Sequence, residues 1–201
     1  MTIVENTPTS PRAPWAKKRI LDVATELFYD EGIRQVGVDR LISKSEVTKA
    51  TFYKHYRAKD NLIAAYIEGR HKRDKEDLET LAESCGSAAA TLSSLVSTIN
   101  HDLQQPGFRG CLFLNAAAEY PESSHPVRLQ VVAHREWYTE FIAGLLAELG
   151  HPLPGEGADE FLLARDGAMI GSYAGDSIAA AGAFQRVVNE ILDNTLAMAV
   201  A

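Results

Sequence analysis

Two short helices separated by a tight turn constrain this chain more than any other feature. Val38, Leu41 and Ile42 form an apolar stripe at i, i+3 and i+4, opened by Gly37 and ending near Ser45. The second helix is read from Val47-Thr48-Lys49-Ala50-Thr51-Phe52-Tyr53-Lys54-His55-Tyr56. Thr48 can cap its first turn, and Val47 and Phe52 stand where a hydrophobic staple needs them. Phe52 and Tyr56, four apart, share an inward face. With the turn Ser45-Glu46-Val47 the pair makes a helix-turn-helix, whose second helix enters the major groove of DNA. Lys49, Thr51, Tyr53, Lys54 and His55 are left for the exposed and flanking faces. They supply donors without a carboxylate, which suits a polyanion.

The formal net charge of −7 argues against a nucleic-acid partner until its distribution is followed. Residues 1–75 hold fifteen Lys/Arg and ten Asp/Glu, whereas residues 76–201 hold five and seventeen and no lysine. A basic module is joined to an acidic body. Residues 1–14, with Pro8, Pro11 and Pro14, read as a disordered leader without the apolar core of a signal peptide. No later stretch is long and apolar enough to span a bilayer, so no membrane partner is expected. Cys85 and Cys111, in a chain with no export signal, are expected as reduced thiols in a cytoplasmic protein.

Residues 18–67 resemble the DNA-binding domain of the tetracycline-repressor (TetR) family of regulators. The matching pieces are Ile20-Leu21-x-x-Ala24-x-x-Leu27-Phe28-x-x-x-Gly32, Val38-x-x-Leu41-Ile42, Val47 to Phe52 with Tyr53-x-His55-Tyr56, and Lys59-Asp60-x-Leu62. Two positions depart from the pattern. Glu46 stands where the turn usually carries Gly, and Val36-Gly37 replaces the usual Thr/Ser pair before the second helix. The resemblance implies an all-α fold, with a three-helix helix-turn-helix domain at 15–60 and a larger helical ligand-binding and dimerisation domain at 61–201. It also implies a palindromic double-stranded DNA operator. Lys49, Thr51, Lys54 and His55 would approach base edges from behind the cap at Thr48, while Tyr53 and Lys59 would grip phosphates.

Helical spacing continues through the rest of the chain. Lys17 to Asp30 presents Ile20, Ala24, Leu27 and Phe28 on one face, with Lys17, Lys18 and Arg19 gathered at its start. Lys59-Asp60 opens a long helix that must connect the two modules. Its mixed run from His71 to Asp77 reads as a solvated face. Helices follow at 88–103, 111–120, 126–149, 158–174 and 177–199, with Asp176 placed to cap the last. Small residues (Ala164, Gly167, Ala168, Gly171, Ser172, Gly175) recur on one of the last two helices, and Phe184, Val187, Val188, Ile191, Leu192 and Leu196 line the other. The two helices can form a homodimer interface or pack on their own subunit. The resemblance favours the dimer.

Catalytic signals are sparse. His101, Cys111, His125, His134 and His151 lack metal-ligand spacing, so neither metal nor other cofactor is expected. No GxSxG, phosphate-cradling loop or Cys–His pairing supports an enzyme. Cys111 reads as a small buried hydrophobe rather than a redox sensor, and Asp166 as a carboxylate that orients a ligand or pairs near Arg165. Phe108, Phe113, Asn115, Tyr120, His134, Trp137, Phe141, Met169 and Tyr173 are the candidates to line a pocket for a small, largely apolar effector. The expected function is a repressor released from its operator by that effector. The alternative is a DNA-binding protein whose helical body is purely structural.

Overall fold

The computed structural model describes the backbone of residues 12–197 and the side chains of residues 15–194. Nine helices and no strand occur among the described residues: α1 (Arg12–Glu31), α2 (Val38–Ser45), α3 (Lys49–Tyr56), α4 (Lys59–Cys85), α5 (Ala88–Leu103), α6 (Leu112–Glu119), α7 (Pro126–Glu148), α8 (Pro154–Ala174) and α9 (Ser177–Ala197). The fold is all-α. Helix α1 begins at Arg12, inside the segment expected as a disordered leader; residues 1–11 of that leader lie outside the described residues. Pro14 is compatible with that start, because the N–H groups of a first turn have no intrahelical acceptor. The last helix is described to Ala197, so the remainder of the expected 177–199 span falls outside.

Two compact units, Met1–Glu68 and Gly69–Ala201, divide the chain within α4. In the first, α1 contributes Ile20, Ala24, Leu27 and Phe28, α2 Leu41, α3 Phe52 and Tyr56, and the start of α4 Leu62, Ile63, Tyr66 and Ile67, all buried. Phe28 and Tyr66 meet edge to face, with centroids 5.4 Å apart. The turn between α2 and α3 runs through Glu46, which adopts the left-handed conformation at φ 56°, ψ 38°. Its backbone N–H bonds to Ser43 O at 3.2 Å, and the next N–H, of Val47, reaches Ile42 O at 3.3 Å. The conformation that glycine adopts without strain is therefore taken by a residue with a Cβ, and the Glu46 side chain is ion-paired to Arg19 at 3.3 Å. Gly37 precedes α2 with an extended backbone and no side-chain cap, the consequence of losing the Thr/Ser pair.

The junction of α3 and α4 is tighter still. Arg57 has φ 57° and ψ −39°, and Ala58 N–H donates to Tyr56 O across it, which makes a three-residue γ-turn of the uncommon positive-φ kind. The same Tyr56 carbonyl accepts Asn61 Nδ2 at 2.8 Å.

In the second unit, α5 buries Leu92, Leu95, Val96, Ile99 and Leu103; α7 buries Val127, Val131, Tyr138, Ile142, Leu145 and Leu146. Helices α8 and α9 pack on each other within one subunit. Phe161 and Phe184 meet at 5.3 Å, and a Cβ on Gly171 would lie 3.5 Å from Ala180 Cβ. Asp176 Oδ1 caps α9 by accepting the N–H groups of Ile178 (2.9 Å) and Ala179 (3.0 Å).

The two non-glycine residues with positive φ among the described residues, Glu46 and Arg57, generate a stability prediction. Arg57→Gly and Glu46→Gly relieve about 1–2 kcal/mol of backbone strain each, against about 0.5–1 kcal/mol of added chain entropy. Each variant is expected to raise the urea midpoint with m unchanged, and the gain should be larger for Arg57, which loses no ion pair of the kind Glu46 makes.

Candidate nucleic-acid interface and interior polar cluster

Helix α3 is anchored from inside and presents its donors outward. Thr48 Oγ1 accepts Thr51 N–H at 3.1 Å, and the two hydroxyls are 2.8 Å apart. Phe52 and Tyr56 are buried, and Tyr56 Oη donates to Lys17 O on α1 at 3.0 Å. Burial, with Asp22 adding to it, pushes the Tyr56 pKa up to about 12, so the phenol stays a donor throughout the working range. Thr48, Lys49, Tyr53 and Lys54 are exposed, while Thr51 and His55 are half-buried. Lys49 lies 3.9 Å from Asp39, an exposed pair that contributes little to stability. Lys59 is placed differently from its neighbours. Its ammonium donates to Ile33 O at 2.6 Å and lies 5.8 Å from the Phe28 ring centroid, so it also ties α4 to the α1–α2 loop.

The pocket candidates divide into two groups. Phe113, His134, Trp137 and Phe141 come together: Phe113 and His134 stack at 3.5 Å with planes 9° apart, and Trp137 lies 5.6 Å from His134 and 6.3 Å from Phe141. Met169 is buried and Phe108 half-buried. The others face elsewhere. Tyr120 stacks on His125 at 4.3 Å, Asn115 is exposed with its amide donating to Arg109 O at 2.8 Å, and Tyr173 is 54% exposed beneath the Arg109 guanidinium.

Beside the aromatic group lies a polar cluster of which sequence reasoning found only Asp166 pairing near Arg165. His71 Nδ1 lies 3.2 Å from His134 Nδ1, and His71 meets Trp137 edge to face at 5.2 Å. Arg165 on α8 lies over the Tyr138 ring at 4.9 Å and reaches Asp166 at 3.1 Å. Asp166 also takes Arg135, and Asp74 takes Arg70 at 2.7 Å. The run from His71 to Asp77 is thus not wholly a solvated face. Ile67, His71, Asp74 and Leu78, spaced four, three and four, form the packed stripe of α4, and that spacing was the available signal.

Burial dominates the electrostatics. It lowers the His134 pKa to about 3, helped by Arg165, His71, Arg70 and Arg135, and leaves the ring neutral. It raises Asp74 against the opposing pull of Arg70 and Arg165, and raises Tyr138. Burial alone would lower Arg165, but Tyr138, Cys111 and Asp166 oppose it and raise its pKa; with Tyr138 kept an un-ionised phenol by burial, Asp166 is the anion paired with the guanidinium. The cavity enclosed by Cys111, Phe113, His134, Arg135, Tyr138, Leu162 and Arg165 measures about 10 Å³, space for one water. Among the described residues no group of three or more His, Cys, Asp and Glu could hold a metal ion, and no helix is long and apolar enough to cross a membrane. Both cysteines are free thiols.

A family model described as bacterial regulatory proteins of the tetR family matches residues 20–66, the span that builds α1 to α3 and the start of α4. A solved TetR-family transcriptional regulator from Streptomyces coelicolor is 36% identical, with a TM-score of 0.85 over 90% of this chain and 95% of that one. The chain belongs to the TetR family of transcriptional regulators. Curated relatives include the transcriptional activator FasR of Mycolicibacterium smegmatis, 26% identical over 61% of this chain and 57% of that protein. The transcriptional repressor NemR of Escherichia coli is 25% identical over 56% and 57%. The chain thus matches less than two thirds of these curated relatives' own length. The reduced form of E. coli NemR, 21% identical with a TM-score of 0.74, shares the fold.

His134 generates a pH prediction. Its folded pKa lies below the ordinary histidine value, so between about pH 6.5 and 3 the unfolded chain binds a proton that the folded protein refuses. Stability present above pH 6.5 is lost as pH falls, at up to about 1.4 kcal/mol per pH unit. His134→Gln should remove this component, read as the difference between the urea stabilities of the two proteins across that window.

Proposed function

We propose that this TetR-family regulator is a homodimeric repressor that binds a palindromic operator through α3 and leaves it when a small molecule enters the body. The observation that carries the reading is α3 itself. Phe52 and Tyr56 are anchored inward, its cap is formed, and Lys49, Lys54 and Tyr53 are exposed on the other side. Base edges would be met by Lys49, Thr51, Lys54 and His55, and phosphates by Tyr53 and Lys59. FasR is named an activator and NemR a repressor; repression is the simpler mode, since occupancy of a promoter needs no additional contact. For the effector to act it must bind the DNA-incompetent state more tightly, because equal affinity shifts nothing.

A second reading, a purely structural body, has one observation behind it: the space among Phe113, His134, Tyr138 and Arg165 is only about 10 Å³. An effector would have to open that space, and Trp137, which neighbours His134 and Tyr138, is half-buried. Duplexes selected from a random library and titrated with compounds separate the two readings. An operator that no compound releases supports the structural body.

In this reading the dimer interface would lie on the outer faces of α8 and α9. Leu163 and Ile170, seven apart on α8, are 71% and 58% exposed, with Gly167 exposed between them. Val188 and Ile191 are buried within their own subunit, so a charge at Val188 would test folding instead. Leu163→Glu and Ile170→Glu should convert a sedimenting dimer to monomer and weaken operator binding with α3 untouched. A dimer surviving both changes places the interface elsewhere. Thr51→Val or Lys54→Ala should relax preference at particular base pairs by about 1–3 kcal/mol each. Undiminished affinity and sequence preference in both variants would remove α3 as the reading element.

A further inference from the structure

Arg135 and Arg165 share a single carboxylate, Asp166, while Asp74 is paired with the exposed Arg70. Arg165 is the enclosed member, with 14% of its side chain exposed, and its buried Nε has no hydrogen-bond partner among the described residues. A buried donor without an acceptor and a cation short of compensation are both unfavourable. One added anion would satisfy both. Arg165 also walls the interior cavity, together with the neutral ring of His134, the phenol of Tyr138 and the face of Phe113.

We propose that the effector is a flat aromatic carboxylic acid in its ionised form, with its carboxylate received by Arg165 and Tyr138 and its ring placed among Phe113, His134 and Trp137. This rests on the ligand-released reading of the body and specifies the chemistry of that site. The planar stack of Phe113 on His134 shows that the neighbourhood accepts parallel rings. A guanidinium recognises a carboxylate through paired N–H donors in its plane, which a neutral amide cannot match. Arg165, with Arg70, favours the ionised form of Asp74 on α4 against burial, so an incoming carboxylate competes with Asp74 for that charge. The ligand thereby changes what holds the body segment of the helix that begins at Lys59.

The test uses the full chain in a Trp15→Phe background, so that Trp137 is the fluorophore. Benzoate, cinnamate and 2-naphthoate are each titrated beside their primary amides. At least one acid should change Trp137 emission and bind at least about tenfold more tightly than its amide, the size of a lost charge-assisted hydrogen bond. Arg165→Gln should abolish that discrimination. Asp74→Asn, which removes the competing carboxylate and leaves Arg165 in place, should tighten acid binding several-fold, and it decides the matter if Arg165→Gln does not fold. Amides that bind as well as acids, acid affinity unchanged in Asp74→Asn, or no binding of any acid up to about 1 mM would each overturn the proposal. Binding of the selected duplex by the same samples without acid is measured alongside. Its loss defeats the regulator reading, whereas its retention with no acid effect defeats the acid proposal alone.

Discussion

An eight-residue helix cannot hold its shape in water, since the cost of nucleation is recovered only over several more turns. Helix α3 therefore owes its existence to side chains that leave it. Phe52 fills the core formed with α1, α2 and the start of α4, and Tyr56 adds a directional bond to Lys17 O. Because the two residues are four apart, they fix rotation about the helix axis as well as its position. Which donors face outward is decided by these two contacts. The positive-φ turns at Glu46 and Arg57 are strained because the anchors dictate where α3 must begin and end, and the loops have only a few residues in which to comply.

The same geometry makes the small unit sensitive to its connections. Lys59 holds Ile33 O, Arg40 holds Glu31 at 2.6 Å, and Arg19 holds Glu46. Several cations of the basic module thus do structural work within it, leaving fewer than the net charge suggests for an approaching polyanion. Lys59 shows the consequence: a substitution there acts on the fold and on any phosphate contact together, so loss of affinity alone would not assign its role.

The helices were legible because their periodicity and punctuation are local. Thr48, Asp176, Pro126 and the glycines that follow helices act within a few residues of where they stand. The first unit was legible in more detail because its apolar residues recur at spacings that one short helix can accommodate. The interior of the body was legible only in its aromatic half. Phe113, His134, Trp137 and Phe141 were found because large rings announce themselves, whereas His71, Asp74 and Arg165 carry charges that read as surface. What distinguishes them is phase: Ile67, His71, Asp74 and Leu78 continue one stripe, and Arg165 follows Phe161 and precedes Ala168 on another. Tyr120, Asn115 and Tyr173 failed to join the group because their partners, His125, Arg109 O and the Arg109 guanidinium, are set by loop geometry that spacing does not encode.

A buried charge cluster is weak evidence for stability, because desolvation consumes most of what the ion pairs supply. Hydrophobic residues of the same volume would hold α4, α7 and α8 together at least as well. What the charges supply instead is discrimination between arrangements. An apolar contact tolerates sliding, but Arg165 keeps both its pair with Asp166 and its place over the Tyr138 ring in one arrangement only. Such a cluster has few acceptable states, separated by the cost of exposing or unpairing an ion. A molecule that supplies a new partner for an ion changes which of those states is lowest, whereas a purely apolar one does so only as far as its contact area differs between them. That difference is the physical reason to look for a charged group on anything that switches this body.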